Sequence, residues 1–150
     1  MKVGEYCKRA VIAIKSGSDA AAAAQLMREE HVGFLIVYRD GDELQKPIGV
    51  LTDRDLVLAV LARNVDPHAV TVGDVMTRQP LIANENDELN DMLQGMRLTG
   101  VRRVPVVDAR GALSGIFALD DAIDLITGLM CDIAGSIKSE QRQEWRVRTG

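Results

Sequence analysis

Thr52 and Asp55 stand three residues apart in Gly49-Val50-Leu51-Thr52-Asp53-Arg54-Asp55, where an apolar run gives way to charged residues. A hydroxyl followed by a carboxylate at this spacing closes the start of a helix: Thr52 caps it, and Asp55 reaches back to the cap's backbone N–H. The same atoms suit a ligand. Exposed N–H groups at a helix start, with a hydroxyl beside them, attract phosphate, and a carboxylate one turn in accepts hydrogen bonds from a ribose diol. The capping and binding readings are compatible. Both need a strand that delivers the pair to the first turn of a helix.

The chain supplies that setting twice. Residues 3–39 align with 72–108 at a constant shift of 69, with Val3/Val72, Gly4/Gly73, Arg9/Arg78, Gln25/Gln94, Met27/Met96, Arg28/Arg97, Val32/Val101 and Val37/Val106 identical. After a loop shorter by three residues the match resumes at a shift of 66, so that residues 49–56 face 115–122. Asp121 then answers Asp55, but Ala118 stands where the hydroxyl should be. A duplicated unit of this size implies pseudo-symmetry, and with it clefts where the copies meet.

Hydrophobic periods place the elements. Residues 11–14 are too short an apolar run for a helix and read as a strand. Ser18 then offers an N-cap with Asp19 in the first turn, and Ala20, Ala23, Ala24 and Met27 form one helical face. In the second copy Asp87 caps, Glu88 follows, and Leu89, Met92, Leu93 and Met96 fill the same stripe. The alanine face of the first copy is thin and calls for a close neighbour. Residues 34–38 and 104–107 are continuously apolar, as in strands covered on both faces. Second strands follow at 48–51 and 113–117, then second helices at 53–62 and 119–130. The order is β-α-β-β-α, twice. Residues 3–63 form one repeat, 64–71 a linker turning at Pro67, 72–130 the other repeat, and 131–150 a polar, basic tail, helical or disordered. Ile133, Ile137, Gln141 and Trp145 recur in the tail at helical spacing, which would carry the last helix onto a neighbour.

Composition bounds the function. Only 3% of residues are aromatic, so Val, Ile, Leu, Ala and Met must build the core. A net charge of −4 argues against a duplex nucleic-acid surface, and no apolar run approaches a membrane span. Cys7 and Cys131 give no disulfide framework and read as thiols in a reducing cytoplasm. His31 and His68 lack metal-spaced partners, and Met76, Met92, Met96 and Met130 fall on apolar helical faces and read as core. Asp53, Asp55, Asp120 and Asp121 sit at helix starts, where acids are stabilising in any case. No catalytic triad and no glycine-rich nucleotide fingerprint is present, so neither a catalytic residue nor a metal site is expected.

Four motifs in order, each present in a duplicated frame, resemble the CBS domain, named for cystathionine beta-synthase. They are the β-α-β-β-α order, the lead-in Gly73-Asp74-Val75-Met76-Thr77, the strand Val101-Arg102-Arg103-Val104-Pro105-Val106-Val107-Asp108, and the Gly-h-h-Thr-x-x-Asp junction. Two tandem copies form a Bateman module. The resemblance implies an α/β (α+β) fold of two repeats packed sheet to sheet in one compact module. It implies a regulatory unit that is not an enzyme and needs no cofactor, binding an adenosine nucleotide (AMP, ADP or ATP) in a cleft between repeats. S-adenosylmethionine and NADH have overlapping requirements. Carried over by position, cleft one takes Thr52 for phosphate and Asp55 for the ribose. Arg103 and Arg102 serve as counter-charge, Val101, Val104 and Pro105 form the start of the facing strand, and Leu81 and Ile82 line the base. Cleft two takes Asp121, Ala118, Gly33 and Phe34 and is degenerate, without the hydroxyl and without an arginine. The resemblance also implies a homodimer. The alternative is a ligand-independent dimerisation module whose second helices pair two chains.

Overall fold

The computed structural model describes residues 1–149. In chain order the elements are α1 (Val3–Tyr6), β1 (Ala13–Lys15), α2 (Ala20–Glu30), β2 (Phe34–Tyr38), β3 (Pro47–Thr52) and α3 (Asp53–Leu56), which runs into a π-helical turn at Val57–Leu61. There follow α4 (Val72–Val75), β4 (Thr77–Arg78), β5 (Ala83–Asn84), α5 (Leu89–Thr99), β6 (Arg103–Val107), β7 (Leu113–Ala118) and α6 (Leu119–Thr149). They fall into two units, Met1–Phe117 and Ala118–Gly150.

The apolar runs become central strands, as their composition requires. Leu35, Ile36 and Val37 of β2 are completely buried, and so are Val104, Pro105 and Val106 of β6. In the first sheet β1 lies parallel to β2, with Ala13 beside Ile36, and β3 lies antiparallel to it, with Phe34 opposite Thr52. In the second, β5 is parallel to β6, with Ala83 beside Val106, and β7 is the other neighbour of β6. Ile14, Ala23, Met27, Leu35, Val37 and Leu51 form one core cluster, and Val72 from the second repeat is part of it.

That crossing is one half of a reciprocal exchange. β4 belongs to the second repeat but completes the first sheet, pairing antiparallel with β3 at Val50↔Thr77. At the equivalent place Lys8 of the first repeat bridges Ile116 of β7, exchanging two backbone hydrogen bonds of 2.8 and 2.9 Å. The lead-in helices are tied the same way. Gly4 N–H donates to Glu85 O, and Gly73 N–H to Ser16 O, both at 2.9 Å. The exchange needs glycine where the lead-ins cross the strands. A Cβ on Gly49 would lie 2.9 Å from Thr77 O, and one on Gly115 2.8 Å from Lys8 O. The Arg9 guanidinium adds an ion pair with Glu85, and that hydrogen bond holds the Glu85 carboxyl below the ordinary glutamate range.

Three expectations about helices are corrected. Asp19, not Ser18, caps α2, its Oδ1 accepting from Ala22 N–H at 2.7 Å, while the Ser18 carbonyl accepts from Val72 N–H across the repeats. The cap position of α5 is Glu88, not Asp87, and its side chain makes no capping bond. The Asp87 carboxylate closes the preceding turn onto Asn84 N–H, and the Glu88 carboxylate takes Lys2. Both shifts have one cause: Asp19 and Glu88 bridge the other repeat at Thr71 and Lys2, which fixes the chain one residue further on. Third, Ala24 is exposed rather than part of the buried face of Ala20, Ala23 and Met27.

α6 is a unit by itself. It passes through residue 130 without a break, so the tail continues the last helix to Thr149. Among its described residues only Asp121 and Ala122 are buried, and Met130, expected in the core, is 65% exposed. No helix among the described residues is long and apolar enough to cross a membrane.

Candidate functional site

β3 ends where α3 begins, and the turn between them sets the chemistry. Thr52 takes an extended conformation, and its Oγ1 accepts from Asp55 N–H at 3.1 Å. Asp55 Oδ2 accepts from Thr52 N–H at 2.8 Å. The capping box expected from the spacing is therefore formed, with both side chains half-buried. The backbone bond to Thr52 N–H uses Asp55 Oδ2.

Gly33 precedes β2 and makes room for this turn. Its carbonyl accepts from Asp53 N–H at 3.1 Å, and a Cβ on it would lie 2.6 Å from Asp53 Oδ2. Phe34 follows, directly across the strand pair from Thr52. Over the Phe34 ring stands Arg103, its guanidinium carbon 5.8 Å from the ring centroid, within cation–π range. Arg103 opens β6 and is exposed, as is Arg102 before it. Phe34 is thus shared: its backbone lies opposite Thr52 in the sheet, and its ring lies under Arg103 at the start of β6.

Residues 34 and 103 occupy the same position in the two copies. A residue that touches its own counterpart lies beside the axis relating the repeats, so Arg103 stands close to the pseudo-two-fold. Sequence reasoning placed Phe34 in cleft two. The structure places its ring against an arginine of cleft one. The signal was available in the alignment column, but only the fold shows that the column meets itself.

The other positions are spread more widely. Val104 and Pro105 are completely buried and shape β6 from within, and Val101 is half-buried ahead of it. Leu81 and Ile82 precede β5, at the same end of the second sheet as Arg103 because β5 and β6 run parallel. They line a hollow of about 240 Å3 with Asp87, Asp91 and Met92. Ala118 ends β7 and Asp121 lies in the first turn of α6, both in the second unit, where Asp121 Oδ2 accepts from Ala118 N–H at 2.9 Å. The thin alanine face of α2 borders an apolar groove of about 460 Å3, with Ala20 and Ala24 on one side and Leu56, Val57, Val60 and Leu61 on the other.

The histidines have structural places. His31 ends α2 in the left-handed conformation, and His68 Nδ1 lies 3.3 Å from Asp19 Oδ2. Among the described residues no three His, Cys, Asp or Glu side chains are grouped to hold a metal ion.

The CBS domain pattern matches residues 3–62 and 72–128. The chain belongs to the CBS domain family, as a tandem pair. It is 32% identical over 143 residues to the protein MK0525 of Methanopyrus kandleri, covering 95% of this chain and 71% of that one. The crystal structure of Hypoxic Response Protein I with two coordinated zinc ions superposes with a TM-score of 0.72 at 31% identity, over 83% of this chain and 98% of the other. CBSX2 in complex with AMP superposes at 0.70 with 28% identity, over 86% and 98%.

Proposed function

We propose that the protein is a non-catalytic regulatory module that binds an adenosine nucleotide at the first junction and signals energy state through conformation or homodimer assembly. The observation that supports this reading is Arg103 standing over the ring of Phe34, the residue opposite Thr52 in the sheet. In it Asp55 Oδ1 accepts from ribose hydroxyls, and Thr52 with the first N–H groups of α3 meets phosphate. Arg103, seconded by Arg102, supplies the counter-charge in a forked geometry that lysine lacks. Leu81 and Ile82 offer an apolar edge for the base. The AMP in CBSX2 supports the ligand class. At the second junction Ala118 brings no hydroxyl, and phosphate is not expected there.

The test is thermal unfolding with AMP, ADP, ATP, S-adenosylmethionine and NADH. A ligand at 100 times its dissociation constant adds about 2.7 kcal/mol, a midpoint shift of a few degrees for a domain of this size. AMP, ADP or ATP is expected to give the largest shift, and Arg103→Gln to abolish it. No shift with any adenosine compound overturns the reading and leaves a ligand-independent assembly module. That second reading has its own support in Val57 and Leu61, both exposed and lining the apolar groove.

A further inference from the structure

Phe34 and Arg103 each open a central strand, β2 and β6, and each is followed by three completely buried residues. The core therefore fixes both backbones, while Phe34 stays half-buried and Arg103 exposed. Other cations of the chain are held by carboxylates: Lys2 by Glu88, Arg9 by Glu85 and Arg110 by Asp108. Among the described residues no carboxylate holds Arg103, and its partner is the Phe34 ring, 5.8 Å away at the centroid.

The kind of partner matters to an anion. A guanidinium bound to a carboxylate is already neutralised, and its forked N–H donors are spent on oxygen. One held over an aromatic face is attracted by the ring's quadrupole and keeps both its charge and its donors for a ligand. The contact also removes rotamers that an unpartnered arginine explores, and ordering such a side chain is a cost on binding. The ring thus orders the cation without neutralising it. Position 34 is equivalent to position 103, so an arginine at both would set like charges against each other beside the pseudo-two-fold, and an aliphatic residue would give the guanidinium no attraction. Phe34 also lies directly opposite Thr52, and residues so placed in an antiparallel pair send their side chains to the same face of the sheet.

We infer that Phe34 is a positioning residue: it keeps the Arg103 guanidinium ordered and un-neutralised, and so favours adenosine ligands that carry phosphate over those that do not. The inference rests on nucleotide binding at the first junction, as proposed above, and adds the residue that selects for the phosphate.

The test is calorimetry on the full chain, comparing adenosine with whichever of AMP, ADP and ATP binds most tightly. Phe34→Leu, which stays apolar but loses the ring, is expected to lower the ratio of nucleotide to adenosine affinity about two- to fivefold, the strength of an exposed cation–π contact. Phe34→Tyr is expected to restore the ratio, and in an Arg103→Gln background Phe34→Leu is expected to lower it no further. In ligand-free protein the Arg103 Hδ protons should be shifted upfield by the ring and lose that shift in Phe34→Leu. An equal loss for nucleotide and adenosine makes Phe34 a wall of the site and overturns the inference while the proposed function stands. So does an unchanged ratio, a further fall in the Arg103→Gln background, or Arg103 protons that Phe34→Leu does not move. No nucleotide binding to the unaltered protein overturns the proposed function and the phosphate preference with it.

Discussion

At the first junction the Thr52 hydroxyl and the Asp55 carboxylate close both sides of a capping box; at the second, Asp121 keeps its bond to the Ala118 N–H and the hydroxyl side is gone. The carboxylate persists where the hydroxyl does not, because it satisfies a backbone N–H that the strand has just released. An acid at this position is therefore explained by folding alone. The hydroxyl, and an arginine over the ring of the residue opposite it, are what folding does not require, and the first junction has both within its unit. The junctions differ again downstream. After Thr52 the helix is four residues long and widens into a π turn, whereas after Ala118 it runs for 31 residues.

The largest expected effect separates the two acids. Asp55→Ala should weaken the best nucleotide at least tenfold by calorimetry, since a charged hydrogen bond contributes about 1.5–3 kcal/mol. Asp121→Ala should leave Ala118 N–H unpaired and cost about 1–3 kcal/mol of stability, with a smaller change in affinity. Equal losses of affinity would erase the distinction between the junctions. Next come the crossing glycines. Gly49→Ala and Gly115→Ala each push a Cβ into a backbone carbonyl of the other repeat, and each should cost about 1–3 kcal/mol in urea unfolding. Markedly unequal costs would show that the exchange is symmetric in geometry but not in energy.

A smaller effect sharpens the comparison directly. Thr52→Ala should lose about 1 kcal/mol of stability as the cap is removed, and Ala118→Thr should gain up to that amount. If Ala118→Thr also adds a second nucleotide per chain, the missing hydroxyl was the whole difference. The smallest effect is in acid. The Asp74 carboxyl is held low by the hydroxyl and N–H of Thr71, Asp19 by Ala22 N–H and His68, and Glu85 by Arg9. A lowered folded value means stability that is present above the unfolded value, near pH 4, and lost as pH falls through the folded one. Stability should decline below about pH 4. Glu85→Gln should flatten that limb slightly, because the pair is exposed and screened. A limb unchanged by Glu85→Gln would remove this pair from the account.

Much of the fold was legible because repetition doubles a weak signal. A Thr-x-x-Asp turn in one copy is ambiguous, but the same strand–turn–helix context at a fixed shift is not. The apolar runs of β2 and β6 needed no partner to be recognised. The exchange of lead-ins was not legible, since β4 is only two residues long and Lys8 pairs through a single bridge, lengths too short to show a period. The caps of α2 and α5 were misplaced by one residue because contacts from the other repeat, not local preference, set them. Met130 was misread for a simpler reason: an apolar helical stripe looks the same whether it covers a core or stands exposed.

The sequence by itself determined that there are two copies of one unit, which runs become strands, and that a hydroxyl and a carboxylate share the first turn after β3. These follow from side-chain volume, period and hydrogen-bonding capacity, which act over a few residues. Only the tertiary structure decided that Phe34 lies beneath Arg103 and that each repeat lends a lead-in to the other's sheet. It also decided that the last helix leaves its apolar seam in water. Those outcomes depend on which distant backbones meet about the pseudo-two-fold, and no local preference of the chain encodes that meeting.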